Sequence, residues 1–524
     1  MKAYLLHRNQ DFDLQQPLPW NEQALTQDLA LPTLFNAMAQ DDKLIFEVSR
    51  KVVFAGLQND VQTIRYRQEI LKDCLRNPDI VRELYNVAVE AMSEDKKHYF
   101  SVIWRYPDWV LRYSVEIAEA LLKFVKKLRK IADSHADQFV SEGWTTLFTT
   151  LKRELNDEYF YHVQYHLAQL KFPHGVLMSA KLGNGNKAAN YTLHVLHSST
   201  RSVWERLAWY IAGLLPARLG GERLMRRLRG PQPVFGFTLH PRDESGVKAL
   251  HEIRDRGISL VADALAQAMD HVRSFFNMLR TELAFYVGCV NLYERVTRKG
   301  EATCFPLPAL PGERRLSLQG LYDMCLTLSM KHRVVGNSAN ADKQDLVIVT
   351  GANQGGKSTF LRSVGLAQLM MQCGMFAPAE SFSSSIYDGL FTHYKREEDT
   401  SMKSGKLDEE LGRMSEIIDH IMPHSMILFN ESFAATNERE GSEIARQIVS
   451  ALLEKQVKVL YVTHLYELAH GFSHAKDGTA LFLRAERQPD GTRTFKLVEG
   501  EPLQTSFGED LYNSIFGSPV QCER

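Results

Sequence analysis

The chain has 524 residues, 44% of them apolar, and a formal net charge of -1. That length exceeds one compact domain and supplies apolar surface for several cores, and the near-neutral charge excludes a globally basic nucleic-acid coat, so any DNA contact has to come from a local patch. Six scattered cysteines (Cys74, Cys289, Cys304, Cys325, Cys373, Cys522) without C-x-x-C spacing argue against a disulfide framework or a zinc site, and with no signal-peptide h-region and no apolar run of membrane-spanning length the expectation is a soluble cytoplasmic protein that does not engage a membrane.

Residues 1–20, with Pro17 and Pro19 near their end, read as an extended lead-in. From Trp20 onward apolar residues recur at helical spacing through Leu25, Leu29, Leu34, Met38, Leu44, Ile45 and Val48, then over Val61–Leu75 and Val81–Met92, and again through 112–170. Pro32 and Asn77-Pro78 mark boundaries. In Leu121–Ile131 the cations stand largely off the stripe formed by Leu121, Leu122, Val125, Leu128 and Ile131, as a solvated helix face requires. An all-α domain over 1–170 follows.

The period then changes. Val176–Leu182 and Tyr191–Leu196 are β-like runs around Gly183-Asn-Gly-Asn186, a hairpin signal, and Val234–Leu239 is a candidate third strand. Between the second and third runs lies the most basic stretch of the protein, with Arg201, Arg206, Arg218, Arg223, Arg226, Arg227 and Arg229 opposed by Glu205 and Glu222 alone. Clustered arginines release counterions from a nucleic-acid backbone, which makes Arg218, Arg223, Arg226, Arg227 and Arg229 DNA-contact candidates; an ordinary exposed helix and loop is the alternative. Residues 171–243 thus form a small β and basic insertion. From Val247 to about Arg298 one helical pattern runs without proline, long enough to act as a rigid lever. Pro306, Pro308, Pro311 and Gly312 end the lever and linker segment, 244–314, and a last domain covers 315–524.

That last domain opens on Asp345-Leu-Val-Ile-Val-Thr-Gly351-Ala-Asn353-Gln-Gly355-Gly356-Lys357-Ser358-Thr359. A buried strand runs into a glycine-rich turn and then into a helix, the arrangement in which backbone N–H groups and the helix dipole face a phosphate. Gly351, Gly355, Gly356, Lys357, Ser358 and Thr359 are therefore expected at a nucleotide, with the Lys357 cation near the β and γ phosphates and the Ser358 hydroxyl helping to hold Mg²⁺. Two further apolar strands end in polar pairs, Ser425–Glu431 in Asn430-Glu431 and Lys458–His464 in Thr463-His464. In a parallel sheet such ends line up beside the phosphate loop, where Glu431 can polarise the attacking water and His464 can hydrogen-bond the γ-phosphate or that water.

These segments, together with Gly374–Ser381 (Gly-Met-Phe-Ala-Pro-Ala-Glu-Ser), Asp388–Thr392, the stretch from Asn430 through Thr436 to Gly441, Thr463–Leu468 and Ser506-Phe507-Gly508, resemble the successive motifs of the MutS family ATPase domain, in the same order and over about the last 180 residues. Asn59–Asp73 is similar to the opening of that family's helical core domain. The resemblance implies an α/β ABC-type P-loop ATPase that works as a homodimer with ATP and Mg²⁺ at the subunit interface. It places Asn353 beside the nucleotide, turns Thr436–Gly441 towards the partner subunit, and sends Ser404–Glu410 towards the partner's γ-phosphate. The lever would link ATPase and DNA-facing ends.

The chain departs from the family in three places. The serine-threonine pair usual in the Ser404–Glu410 stretch has no clean match, although Ser404 or Lys406 can substitute. The Asp that precedes the catalytic Glu is Asn430 here, which keeps the hydrogen-bonding shape at the metal but removes a negative charge; slow turnover is expected, and a subunit that binds ATP without hydrolysing it is the further alternative. The Phe-x-Glu wedge of mismatch readers occurs only at Phe429-Asn-Glu431 and Phe507-Gly-Glu509, inside ATPase motifs, and the residues ahead of the ATPase leave no room for mismatch and connector domains at about 100 to 200 residues per domain. No nuclease-like extension is expected after Ser506-Phe-Gly508. The sequence thus points to an ATP-gated DNA clamp that is not itself a mismatch reader. A nucleotide-switched protein scaffold without DNA contact is the alternative, favoured by the near-neutral charge.

Overall fold

In the computed structural model, residues 2–97, 107–171, 177–182, 188–194, 235–237, 244–396, 405–474, 480–488 and 491–502 are described. The chain divides into two compact units, Met1–Val89 with Leu128–Lys152 and Phe275–Arg524, and Glu90–Lys127 with Arg153–Ser274.

The first unit is built on a six-stranded sheet. In chain order its strands are β7 (Leu346–Gly351), β9 (Leu390–Tyr394), β10 (Met426–Asn430), β11 (Lys458–Val462), β12 (Ala480–Arg487) and β13 (Arg493–Glu499), and across the sheet they run β13-β12-β7-β11-β10-β9. All pairings are parallel except β12 with β13. Every residue of β7, β9 and β11 is buried, which explains why these strands read as continuous apolar runs rather than as alternation: a parallel sheet is covered on both faces. One face carries Ile348, Phe429, Tyr461 and Val459 against Met414 and Ile417 of the helix Lys406–His420 and Ala445 and Val449 of the helix Glu438–Glu454. Each such side chain contributes about 1.5 to 3 kcal/mol on burial.

The helix Lys357–Gln372 is buried almost all round. Gly365 is the reason it can be: a Cβ there would stand 2.8 Å from the Leu428 side chain and 2.9 Å from that of Leu29. This helix therefore lies closely between β10 and the N-terminal helical layer. A smaller sheet, in the order β4 (Leu307–Ala309), β8 (Ser381–Ser385), β5 (Leu316–Leu321), β6 (Asn337–Asn340), flanks it. The N-terminal helices are capped as their sequences require, with Asp42 accepting from the N–H groups of Leu44 and Ile45, and Asp60 from that of Thr63.

The lead-in differs from expectation. Residues 5, 6 and 12 are buried apolar side chains, and the wholly buried Glu282 carboxylate accepts the backbone N–H groups of Leu5, Leu6 and Phe12. Arg67, also fully buried, donates to the carbonyls of Leu6 and Cys373. The segment is a packed strap whose order comes from distant polar partners, a signal that local periodicity does not carry.

The second unit contains the helix Asp157–Leu170 and a three-stranded antiparallel sheet, β1 (Leu177–Leu182), β2 (Ala188–His194) and β3 (Phe235–Phe237). The two runs of the expected hairpin do pair, with Leu177 opposite His194, and β2 begins three residues before the expected run at Tyr191. The turn Gly183–Asn186 and the cluster Arg218, Arg223, Arg226, Arg227 and Arg229 lie outside the described residues. The long helix spans Glu244–Thr297, 54 residues. From Phe275 on, within the first unit, it is buried at Phe276, Leu279, Leu283, Tyr286 and Val290, whereas Leu260 is 75% exposed. Among the described residues no helix is long and apolar enough to cross a membrane.

Candidate functional site

The chain leaves β7 through Gly351 at φ +104 and enters the following helix through Gly356 at φ +88, its N-cap. Both are left-handed conformations that glycine adopts without cost, and together they fold residues 352–356 over the helix N-terminus. Lys357 curls back into this turn, where its Nζ donates to the carbonyl oxygens of Gly351 at 3.0 Å and Ala352 at 2.9 Å. The side chain is 5% exposed, and this burial pulls its pKa from 10.5 down to about 8, with the Glu431 carboxylate opposing the shift. The Asn353 carbonyl accepts from Arg493 on β13 at 3.2 Å.

Parallel register brings the other predicted residues to the same edge. Asn430, the last residue of β10, stands opposite Val462 of β11 and Tyr394 of β9. Its Oδ1 accepts the Ser358 hydroxyl at 2.8 Å, so the two residues expected at Mg²⁺ meet each other. Glu431 turns off the strand at φ +54, its N–H held by the Val462 carbonyl at 2.9 Å. Its Oε1 accepts from His464 Nε2 at 3.0 Å. That hydrogen bond, seconded by the charges of Lys357 and Lys395, keeps the Glu431 carboxyl below the ordinary range against the opposing effect of burial.

These residues enclose a cavity of about 470 Å³ whose wall includes Asn353, Gly355, Gly356, Lys357, Ser358, Thr359 and Glu431. Its wall also includes the apolar residues Leu326, Met330, Val334, Val335 and Phe495. Phe495 is set there by Asn337, which donates to its carbonyl at 3.2 Å and accepts from the Leu497 N–H at 2.7 Å. His464 reaches the cavity through Glu431.

Sequence reasoning missed the support behind Glu431. Phe433 is also left-handed, at φ +61, and its N–H donates to Glu410 Oε2 at 2.9 Å. The Ser432 hydroxyl meets the buried His393, whose pKa burial lowers to about 4, and the Ser432 carbonyl accepts from Tyr461 at 2.8 Å. Glu410 had a signal: it shares a helix face with Leu407, Met414 and Ile417, an acid at a core position. It turns inward and is 1% exposed, whereas Ser404, at the other end of the same stretch, lies outside the described residues. The segment Ser506–Gly508 lies outside them as well. Thr436 to Glu440 is an outer turn in which Thr436 donates to Glu440 and Asn437 caps the helix that follows.

Comparison with known proteins bears on the chain over most of its length. The family model described as MutS2 N-terminal domain matches residues 59–299, and that described as MutS domain V matches residues 347–519. The chain is 24% identical over 262 residues to a DNA mismatch repair protein MutS of Streptococcus thermophilus, covering 49% of this chain and 30% of that protein. To MutS protein homolog 4 of Mus musculus it is 24% identical over 279 residues, covering 53% and 28%, and to an Endonuclease MutS2 of Lacticaseibacillus paracasei 27% identical over 281 residues, covering 52% and 34%. The matches thus span about a third of these relatives' own length. With an N-terminal and a C-terminal model of the same family matching in order, and the strand ends of β10 and β11 meeting the glycine turn after β7, the chain belongs to the MutS family.

Proposed function

We propose that the protein is a slow ATPase that dimerises through its C-terminal domain and uses ATP to gate a DNA-binding clamp. The observation that carries this reading is the convergence of Lys357, Ser358, Asn430, Glu431 and His464 at one edge of a parallel sheet, beside a glycine turn and a helix N-terminus. In the proposed reaction Glu431 orients a water and takes its proton as the water oxygen attacks the γ-phosphorus. The bond to the β–γ bridging oxygen breaks, and ADP leaves with inorganic phosphate. Lys357 faces the β and γ phosphates, and His464 holds the Glu431 carboxylate in place.

Ser358 and Asn430 fit a Mg²⁺ site: both present oxygen donors at one point, 2.8 Å apart, as a hard cation shared with phosphate oxygens demands. The ion would supply charge neutralisation on the phosphates. Both side chains are neutral, and a base held below its ordinary range is a weak proton acceptor, so turnover is slow on two counts. Thr436–Gly441 is proposed to face the partner subunit, and Arg218, Arg223, Arg226, Arg227 and Arg229 to meet DNA phosphates. Mismatch reading is not part of the proposal: of the two Phe-x-Glu sequences, Phe429 is fully buried in β10, unable to enter a base stack, and Phe507-Gly-Glu509 belongs to an ATPase motif.

The test is steady-state ATP hydrolysis by the parent and by Glu431→Gln, with DNA binding measured in parallel with and without a non-hydrolysable ATP analogue. The expected outcome is slow hydrolysis reduced at least about tenfold in the variant, with duplex or branched DNA bound in a nucleotide-dependent way. A variant as fast as the parent removes Glu431 as the base. Absence of DNA binding at any salt concentration would leave the second reading, a nucleotide-switched protein scaffold, which the net charge of -1 favours.

A further inference from the structure

Beyond Ser358 and Thr359 the site opens on its other side into a second cavity of about 620 Å³, which Asn430, Arg362, Lys395 and Arg396 also line. Two of its three cations are engaged. Arg362 pairs with the buried Asp323 carboxylate at 2.6 Å, and Arg396 donates to Gln27 at 3.1 Å. Lys395 differs. Its backbone N–H is tied to the Asn430 carbonyl at 2.9 Å, which fixes the residue one step beyond the end of β9. Its ammonium is exposed and has no hydrogen-bond or ion-pair partner among the described residues.

This placement bears on a shortage in the site. Mg²⁺ is ordinarily bound through one or two carboxylates together with substrate phosphates, and here the two side chains that fit the ion are a hydroxyl and an amide. Neither of these two side chains carries a negative charge; the carboxyl of Asp28 lines the same cavity, and the terminal phosphate of ATP would bring further negative charge to it. Resting on the ATPase reading above, we propose that Lys395 is a phosphate-binding residue of the same site, which places its ammonium on the γ-phosphate of ATP from the side opposite Lys357. Its contact distinguishes a nucleoside triphosphate from a diphosphate without help from the metal.

The experiment is equilibrium binding of fluorescent ATP and ADP analogues to the full chain, in excess EDTA and in excess Mg²⁺, for the parent, Lys395→Met and Lys395→Arg, with melting curves as a check of folding. Lys395 is exposed, so the variants are expected to fold. In EDTA, Lys395→Met should weaken the triphosphate about tenfold, the ordinary size of a charge-assisted contact, and leave the diphosphate unchanged; Lys395→Arg should restore most of the difference. With Mg²⁺ the deficit should shrink. Equal weakening of both nucleotides, or of neither, overturns the assignment while leaving the ATPase reading in place. A parent chain that binds neither nucleotide overturns both.

Discussion

Lys357 is expected to make the proposed site sensitive to pH. Burial lowers its pKa to about 8 from an ordinary 10.5, so between those values the unfolded chain holds a proton that the folded chain has released. Folding stability contributed by this residue therefore rises with pH through that window. On the proposed ATPase reading, ATP affinity is expected to move the other way, because the phosphate needs the ammonium form and the free protein loses it above about pH 8. Nucleotide titrations from pH 7 to 9.5 should show affinity falling towards a slope of about one decade per pH unit above the bend. In Lys357→Met the affinity should be low throughout and the bend absent. A bend that persists in this variant would assign it to another group.

At the scale of elements, the turn after β10 is held from outside. Glu431 and Phe433 both adopt left-handed backbone, which costs a non-glycine residue about 1 to 2 kcal/mol each, and the bond from the Phe433 N–H to Glu410 is one of the contacts that fixes this turn. Glu410→Ala should leave a buried N–H unpaired, lower stability by about 1 to 3 kcal/mol and reduce kcat with little change in KM. Glu410→Gln, which keeps an acceptor oxygen, should recover kcat. Loss of stability with kcat intact in the alanine variant would mean that Glu410 serves the fold alone. The contrast between β7 and Glu410 shows what sequence makes legible. A buried parallel strand, a glycine turn and a helix are contiguous, so the Asp345–Thr359 stretch displays its own geometry, and strand-end residues follow once the sheet is known to be parallel. Helical period marks Glu410 as an acid on an apolar face but not its partner Phe433, while Lys395 and the Glu282 contacts to Leu5, Leu6 and Phe12 depend on pairings between residues far apart in the chain that no local period encodes. The strap at residues 5–12 was hidden for the same reason, since its order comes from a carboxylate some 270 positions away.

For the whole molecule the question is how a nucleotide site and a basic segment act together. The helix Glu244–Thr297 contributes residues to both compact units without a proline. Its buried half includes Leu283, Tyr286 and Val290, and there Tyr286 donates to the Leu5 carbonyl and Glu282 holds the same strap. Arg67 joins that strap to Cys373, the C-cap of the helix that begins at Lys357. A chain of packed contacts thus runs from the phosphate turn to the long helix, and it can transmit a nucleotide signal only if ATP prefers one of two arrangements. The basic segment tests the output. If Arg223, Arg226 and Arg227 each neutralise a DNA phosphate, replacing all three by alanine should make the dependence of log affinity on log salt shallower by about 2 to 3, since each contact contributes about 0.9. ATP hydrolysis without DNA should not change. An unaltered salt slope would show that these arginines do not face the DNA, and with DNA binding intact it would send the search for the contact to other residues while leaving the nucleotide site as argued.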